Sequence, residues 1–234
     1  MSDRGFEILL EDDALLAVVK PAGVATQAPP GIESLESRIK AYLAPPGGGA
    51  SVYLGIPHRL DRPVSGAMVF AKTHRAARNL ARQFERRRVG KLSWACVEGI
   101  VEPGDGTWTD YLCKVYGQPR TMVVEQSHPG SQHAVLHYRT IGGHRHGSWL
   151  EVALETGRTH QVRVQAMSRG FPILGDAHYG STIPFGPQYD DQRLRSIALH
   201  ARALTLSHPL SREATNLVAP LGECWNDAAL ESVV

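Results

Sequence analysis

Cysteine is scarce in this chain, with only Cys96, Cys113 and Cys224 among 234 residues. The three are far apart, their number is odd, and none forms a metal-type C-x-x-C pair. This usage is typical of reduced thiols. We therefore predict a cytoplasmic protein without a cysteine-based metal site.

Long apolar runs are also missing. No run approaches the length needed to cross a bilayer, and residues 1–10 lack the basic and apolar segments of a signal peptide. We expect no membrane partner. The net charge of +2 does not by itself indicate a nucleic-acid-binding protein, although the arginines are clustered.

The remaining composition is that of an ordinary globular protein, with 42% apolar and 21% charged residues. No repeat, low-complexity tract or change of composition marks a boundary, so we predict one domain over 1–234. Short apolar runs indicate a hairpin over 6–19 and strands near 67–71, 91–99, 133–141 and 148–155. Apolar periodicity predicts helices over 33–43, 73–88 and 160–168. The predicted fold class is α/β (α+β), with a mixed, largely antiparallel sheet flanked by helices.

The second predicted helix has two contrasting faces. Thr73 is its expected N-cap, and a stripe of alanine and leucine faces the core. The other face carries six arginines, with Glu85 as its one acid. Either this is a solvated surface, or the guanidinium groups bind phosphate.

The most informative segment lies just before the strand at 67–71. It places Asp61 between Arg59 and Arg62 and is followed by a turn at Pro63 and Ser65-Gly66. Composition alone favours a structural ion pair, and a catalytic carboxylate is the alternative.

A resemblance changes that balance. Residues 58–72 read HRLDRPVSGAMVFAK, which resembles the signature of the RluA-type family of RNA pseudouridine synthases. Residues 20–23, 157–163, and 199–201 with 208–209 resemble further family motifs, in the family's order. The resemblance therefore covers nearly the whole chain and implies a single catalytic domain of the pseudouridine-synthase type.

The resemblance implies an RNA isomerase that uses no cofactor and no metal. Asp61 matches the catalytic carboxylate, Arg158 its arginine partner, and Arg59 the arginine that fills the gap left by a flipped uridine. Arg62 is a second cation beside Asp61. The other implied site residues are Val162 and Leu199, which would wall the base pocket, and Lys72, a structural or phosphate-facing cation.

Two further implications concern partners. The family often carries an N-terminal S4 domain, and this chain starts directly with the catalytic motifs. We therefore expect the catalytic domain to recognise a structured RNA by itself, such as a stem-loop of ribosomal or transfer RNA, and to act as a monomer. Lys20, in the first motif, could line the site or be an ordinary surface lysine.

Two positions depart from the family pattern. Ser93 stands where the family has an aromatic residue that stacks on the target base, and stacking is worth about 1–3 kcal/mol. Tyr179 could replace that aromatic. Gln165 stands where the family usually has histidine, a position that we expect to be structural.

Two other functions therefore stay open. The first is an RNA-binding relative whose catalysis is weakened or lost because Ser93 lacks an aromatic ring. The second is a carboxylate-dependent glycoside or nucleoside hydrolase, which normally needs a second carboxylate. The motifs offer only Glu155 and Asp176 for that role.

Overall fold

The computed structural model describes residues 4–45, 52–228 and 231–232, which form two compact units. Unit 1 contains the described residues of Met1–Gly90, Asp191–Leu194 and Ala201–Leu221. Unit 2 contains those of Lys91–Asp190, Arg195–His200 and Gly222–Val234. The single domain over 1–234 stays a prediction.

The described residues form strands and three α-helices, and every pair of strands with a defined register is antiparallel. This confirms the predicted mixed fold with a largely antiparallel sheet. The strands are β1 (Glu7–Glu11), β2 (Leu15–Lys20), β3 (Ser65–Ala71), β4 (Gly90–Glu98), β5 (Asp105–Lys114), β6 (Thr121–Val124), β7 (Gln132–His144), β8 (Gly147–Leu154), β9 (Leu199–Ser207), β10 (Ala214–Val218) and β11 (Glu231–Ser232). The helices are α1 (Leu35–Leu43), α2 (His74–Glu85) and α3 (Gln161–Ser168).

In unit 1 the strands follow the order β1-β2-β3-β9-β10, where β9 contributes Ala201 onward and its first two residues, Leu199 and His200, are assigned to unit 2. Strands β2 and β3 are apolar almost throughout because both of their faces are covered. Leu15 and Val69 lie in a core cluster with α2, whereas Leu16 and Phe70 lie in a cluster with α1. Side chains alternate between the faces of a strand, so a continuous apolar run is what a strand between two helices requires.

Both helices of unit 1 begin at a hydroxyl N-cap. At α1, the side chain of Ser34 accepts a hydrogen bond from Ser37 N–H, and the side chain of Ser37 accepts one from Ser34 N–H. Thr73 accepts from Ala76 N–H at α2, as predicted.

The structure requires glycine at position 66, at the start of β3. Its φ is +125°, and a Cβ there would lie 2.3 Å from the carbonyl oxygen of Ala201. Only glycine tolerates both this conformation and this close approach of the neighbouring backbone.

In unit 2 the strands follow the order β4-β8-β7-β5-β6, and β11 pairs with β7. Helix α3 is buried over 161–166, polar side chains included. The predicted cap of this helix was wrong: the N-cap is His160, not Thr159, and His160 is left-handed (φ 55°) without a side-chain cap bond. None of the described helices is long and apolar enough to span a bilayer.

Candidate active site

Asp61 lies in the loop that leads into β3, and its side chain is half-buried. Val64 N–H donates to Asp61 O at 3.1 Å and closes a tight turn. The turn directs the chain from the carboxylate into the buried strand, so the position of Asp61 depends on a rigid part of unit 1.

Hydrogen bonds hold the backbone on both sides of Asp61. Thr26 Oγ1 donates to Leu60 O at 2.9 Å, and Leu60 N–H donates to Thr26 Oγ1 at 3.3 Å. On the other side, Gly23 N–H donates to Arg62 O at 2.9 Å. The backbone of the loop is therefore held in one geometry on both sides of Asp61.

Lys20 is the second support of this loop, and it is a fully buried lysine. Its Nζ donates to the carbonyl oxygens of Val24 at 2.7 Å, Pro21 at 2.9 Å and Arg62 at 3.1 Å. Burial lowers the pKa of Lys20 to about 7, while the negative charge of nearby Asp61 acts in the opposite direction. The surface-lysine alternative was wrong, because these carbonyl groups satisfy the amine inside the unit.

His58 fixes the start of the same loop. Val69 N–H of β3 donates to His58 Nε2 at 3.1 Å, and the ring stacks on Phe84 of α2 with centroids 4.6 Å apart. A ring nitrogen that accepts from a backbone N–H acts structurally, as does a ring held against an aromatic side chain.

The predicted cations of unit 1 occupy different positions. Arg59 is exposed and Arg62 is half-buried, both beside Asp61 in the chain. Lys72 follows the opposite end of β3 and makes an ion pair with Glu11 at 3.0 Å. The contact of Lys72 is therefore a structural one within unit 1.

Arg158 belongs to unit 2, where a buried polar network fixes its backbone. Gln161 Oε1 accepts from Arg158 N–H at 3.0 Å and from Thr156 Oγ1 at 2.8 Å, and Gln161 Nε2 donates to Val135 O at 3.1 Å. The side chain of Arg158 donates through Nε to His133 O at 3.0 Å. Its pairing with Asp61 stays a prediction.

The other predicted pocket residues also belong to unit 2. Val162 on α3 and Leu199 at the start of β9 are both buried at 6% exposure. Ser93 on β4 is buried at 7% exposure opposite Val152 of β8. The next residue, Trp94, donates a hydrogen bond through Nε1 to the side chain of Glu151, its direct neighbour on β8, at 3.3 Å.

Tyr179 does not replace the missing aromatic, which corrects the suggestion from the sequence. It is completely buried, and its hydroxyl lies 2.8 Å from His160 Nδ1 and accepts from Thr121 N–H at 2.9 Å. The guanidinium of Arg163 lies over its ring, 4.9 Å from the centroid. The ring is a core element of unit 2 and offers no face to a base.

Gln165 is structural, as expected. It is completely buried, and its Nε2 donates to Asp110 Oδ2 at 2.6 Å and to Trp108 O at 3.2 Å. The amide thereby ties α3 to β5.

Comparison with known proteins gives the family. The model of the RNA pseudouridylate synthase family matches residues 14–168. The chain belongs to this family. The matched range includes the Asp61 loop of unit 1 and the Arg158 segment of unit 2.

Individual relatives agree with this assignment. An uncharacterized RNA pseudouridine synthase of Synechocystis sp. is 36% identical over 219 residues, which cover 92% of this chain and 65% of that protein. Ribosomal large subunit pseudouridine synthase D of Pseudomonas aeruginosa is 36% identical over 228 residues, which cover 94% and 70%. The chain thus spans about two thirds of the length of these relatives.

A solved structure shares the fold. Human RNA Pseudouridylate Synthase Domain Containing 4 superposes with a TM-score of 0.76 at 24% identity, covering 96% of this chain and 94% of that one. At this identity the likeness concerns the fold alone. Within the described residues, no group of three or more His, Cys, Asp or Glu side chains is arranged to hold a metal ion.

The sequence motifs did not reveal two of the supports. Thr26 lies outside every matched motif, and its role follows from the structure, where it is 4% exposed and bonds to Leu60. Gln161 lies inside a motif, but nothing in the sequence distinguished it from its neighbours. Both act through hydrogen bonds to residues that a linear pattern does not connect.

Proposed function

We propose that the protein is an RNA pseudouridine synthase in which Asp61 is the catalytic carboxylate. Family membership supports the reaction class, and the hydrogen-bonded loop around Asp61 supports the residue. The loop is the observation that carries the assignment, because it places one carboxylate with fixed backbone geometry beside Arg59 and Arg62.

The reaction breaks the bond between uracil N1 and ribose C1′, rotates the base and forms a bond from C1′ to C5. C5 loses a proton and N1 gains one, so the product is an isomer of the substrate. Asp61 acts on the sugar either as a nucleophile or as a base, and both roles need its ionised form. The negative charge of Asp61 acts to raise the pKa of buried Lys20, so the two groups interact within unit 1. Arg158 supplies a positive charge in the proposed mechanism.

The proposed substrate is a uridine in structured RNA, ribosomal or transfer. The name of the Pseudomonas relative favours the ribosomal large subunit. Such a uridine must leave its stack to expose the glycosidic bond, and Arg59, exposed beside Asp61, would fill the gap. Val162 and Leu199 would line the pocket for the flipped base. We further propose that the protein acts as a monomer in the cytoplasm and needs no cofactor.

A non-catalytic RNA-binding relative is the second candidate, and Ser93 is the observation that favours it. Ser93 has no ring, and Tyr179 is held in the core, so neither stacks on a base. A hydrolase has less support, because Asp176 is engaged in a buried bidentate pair with Arg163 at 2.6 and 2.9 Å.

The test is pseudouridine mapping on RNA from cells that lack the gene, incubated with wild type, Asp61→Asn or Arg139→Gln. Arg139 is an exposed control that pairs with Glu151 at 2.7 Å. We expect new pseudouridine with wild type and Arg139→Gln and none with Asp61→Asn. Bound but unmodified RNA would instead support the non-catalytic relative, and release of uracil the hydrolase.

A further inference from the structure

The exposed face of α2 carries a row of arginines that the proposed chemistry does not use. Arg75, Arg78, Arg82 and Arg86, here called the arginine stripe, are all exposed and follow one another at intervals of three or four residues. This spacing places them on one side of the helix, over about 16 Å at 1.5 Å per residue.

The opposite face of α2 holds the helix rigidly against the sheet. Ala76 and Leu80 are fully buried in the core cluster formed with β2 and β3. Gln83 Nε2 donates to Ser207 O at 2.8 Å, and Ser207 N–H donates to Gln83 Oε1 at 2.9 Å. The stripe is therefore presented on a fixed support.

The stripe carries charge that disfavours the isolated helix. Among the described residues, no carboxylate pairs with any of its four side chains. Like charges at these spacings destabilise a helix by about 0.2–0.5 kcal/mol per pair. The first turn also has no acid, so Arg75 lies at the wrong end of the helix dipole.

Helix α1 of the same unit shows the ordinary arrangement. Its first turn contains Glu36 and its last turn Lys40, which pair at 2.7 Å. Arg38 pairs with Glu33 at 2.9 Å. A solvated helix face in this unit is thus neutralised, and the arginine stripe differs from that pattern.

The stripe also leads toward the Asp61 loop. The ring of Tyr53 contacts His74 at the start of α2, and Gly55 lies against Ala77. His58 stacks on Phe84 at the end of the helix. The segment 53–58 therefore runs alongside α2 in the same direction, and Asp61 follows His58 by three residues in the chain.

We propose that the arginine stripe binds successive phosphates of the RNA strand that carries the target uridine and guides this strand to Asp61. Guanidinium groups bind phosphate through paired N–H donors, and one arginine per helical turn of about 5.4 Å suits a linear polyanion. A membrane surface fits less well, because the apolar side of α2 is buried and cannot insert.

The proposal rests on the proposed function for the identity of the polyanion, so its test measures binding without catalysis. A short fluorescein-labelled RNA hairpin is titrated with wild type, with Arg78→Gln/Arg82→Gln and with the four-residue Gln variant of the stripe. Each lost phosphate contact lowers the salt slope by about 0.9. Between about 50 and 200 mM salt, the affinity of wild type should fall about 12-fold more than that of the double variant and about 150-fold more than that of the fourfold variant.

The matched control is Arg38→Gln/Lys40→Gln, which removes two charges from α1. Its salt slope should equal that of wild type, and thermal melting confirms that each variant is folded. An equal loss in this control would show a net-charge effect and would overturn the proposal, as would an unchanged slope in the stripe variants. Tighter binding of polyglutamate, or of vesicles containing phosphatidylserine, than of RNA would also overturn it. Hairpin binding by the stripe without any isomerisation by wild type would support this surface and refute only the proposed function.

Discussion

The hydroxyl group of Thr26 offers the most direct test of the Asp61 loop. Valine has nearly the shape of threonine, so Thr26→Val removes the hydroxyl and little else. The oxygen and N–H of Leu60 then lose their shared partner, at 2.9 and 3.3 Å. Since Leu60 directly precedes Asp61, the change acts on the position of the carboxylate.

The expected loss of stability follows from two unpaired backbone groups. A buried polar group without a partner costs about 1–3 kcal/mol, and Leu60 is only half-buried, so water satisfies it in part. We expect the free energy of unfolding to fall by about 2 kcal/mol. In a protein of this size that lowers the melting temperature by about 4–8 °C.

The expected loss of activity is larger. A displacement of a catalytic group by about 1 Å costs up to about 100-fold in rate. We expect kcat to fall by about 10- to 100-fold in Thr26→Val, at a temperature where the variant is folded, with little change in KM for RNA because no RNA-facing group is altered.

Thr26→Ser is the matched control, because it keeps the hydroxyl and loses one buried methyl group worth about 0.8 kcal/mol. Its stability should decrease slightly while kcat stays within a few fold of wild type. An unaltered kcat in folded Thr26→Val would refute the claim that this bond positions Asp61. Equal losses of kcat in both variants would show that methyl packing, not the hydroxyl, is responsible.

Two further predictions concern the other supports. Gln161→Leu should lower kcat and leave KM nearly unchanged, because Arg158 N–H loses its acceptor and the Thr156 hydroxyl keeps only Val135 O at 3.2 Å. Gln161→Glu, which keeps an acceptor, should recover part of the rate in a steady-state assay. For Lys20, the folded pKa of about 7 lies below the ordinary value of 10.5, so the unfolded chain binds more protons between these pH values. The unfolding free energy of wild type should therefore rise with pH above about 7, relative to Lys20→Met, by up to about 1.4 kcal/mol per pH unit, and parallel curves from urea denaturation would contradict this assignment.

The sequence predicted those parts of the fold that depend on local patterns. The N-cap at Thr73 and the apolar stripe of α2 follow from residues within a few positions of each other. The buried strand β3 follows from a continuous apolar run. Helix α3 was predicted with the wrong cap, because its first turn begins at a left-handed His160, a conformation that is uncommon for any residue other than glycine.

The supports of the candidate site depend on contacts that no local pattern contains. Lys20 looked like a surface residue because a lysine at a strand end usually is one, but a carbonyl 42 positions away accepts from it. Tyr179 looked available because its burial depends on His160 and Thr121, which belong to other elements. Sequence alone therefore located the motif residues but not the groups that hold them.

These contacts also connect two of the stretches that resemble family motifs, although the two are far apart in the sequence. Gly23 and Lys20 both bond to Arg62 O, so residues 20–23 and the Asp61 motif form one hydrogen-bonded element. In the proposed mechanism, a carboxylate held by this element needs no rearrangement when it meets the ribose, and this preorganisation raises kcat rather than the affinity for RNA. Substitutions in 20–23 should therefore reduce kcat, whereas loss of the arginine stripe should weaken RNA binding.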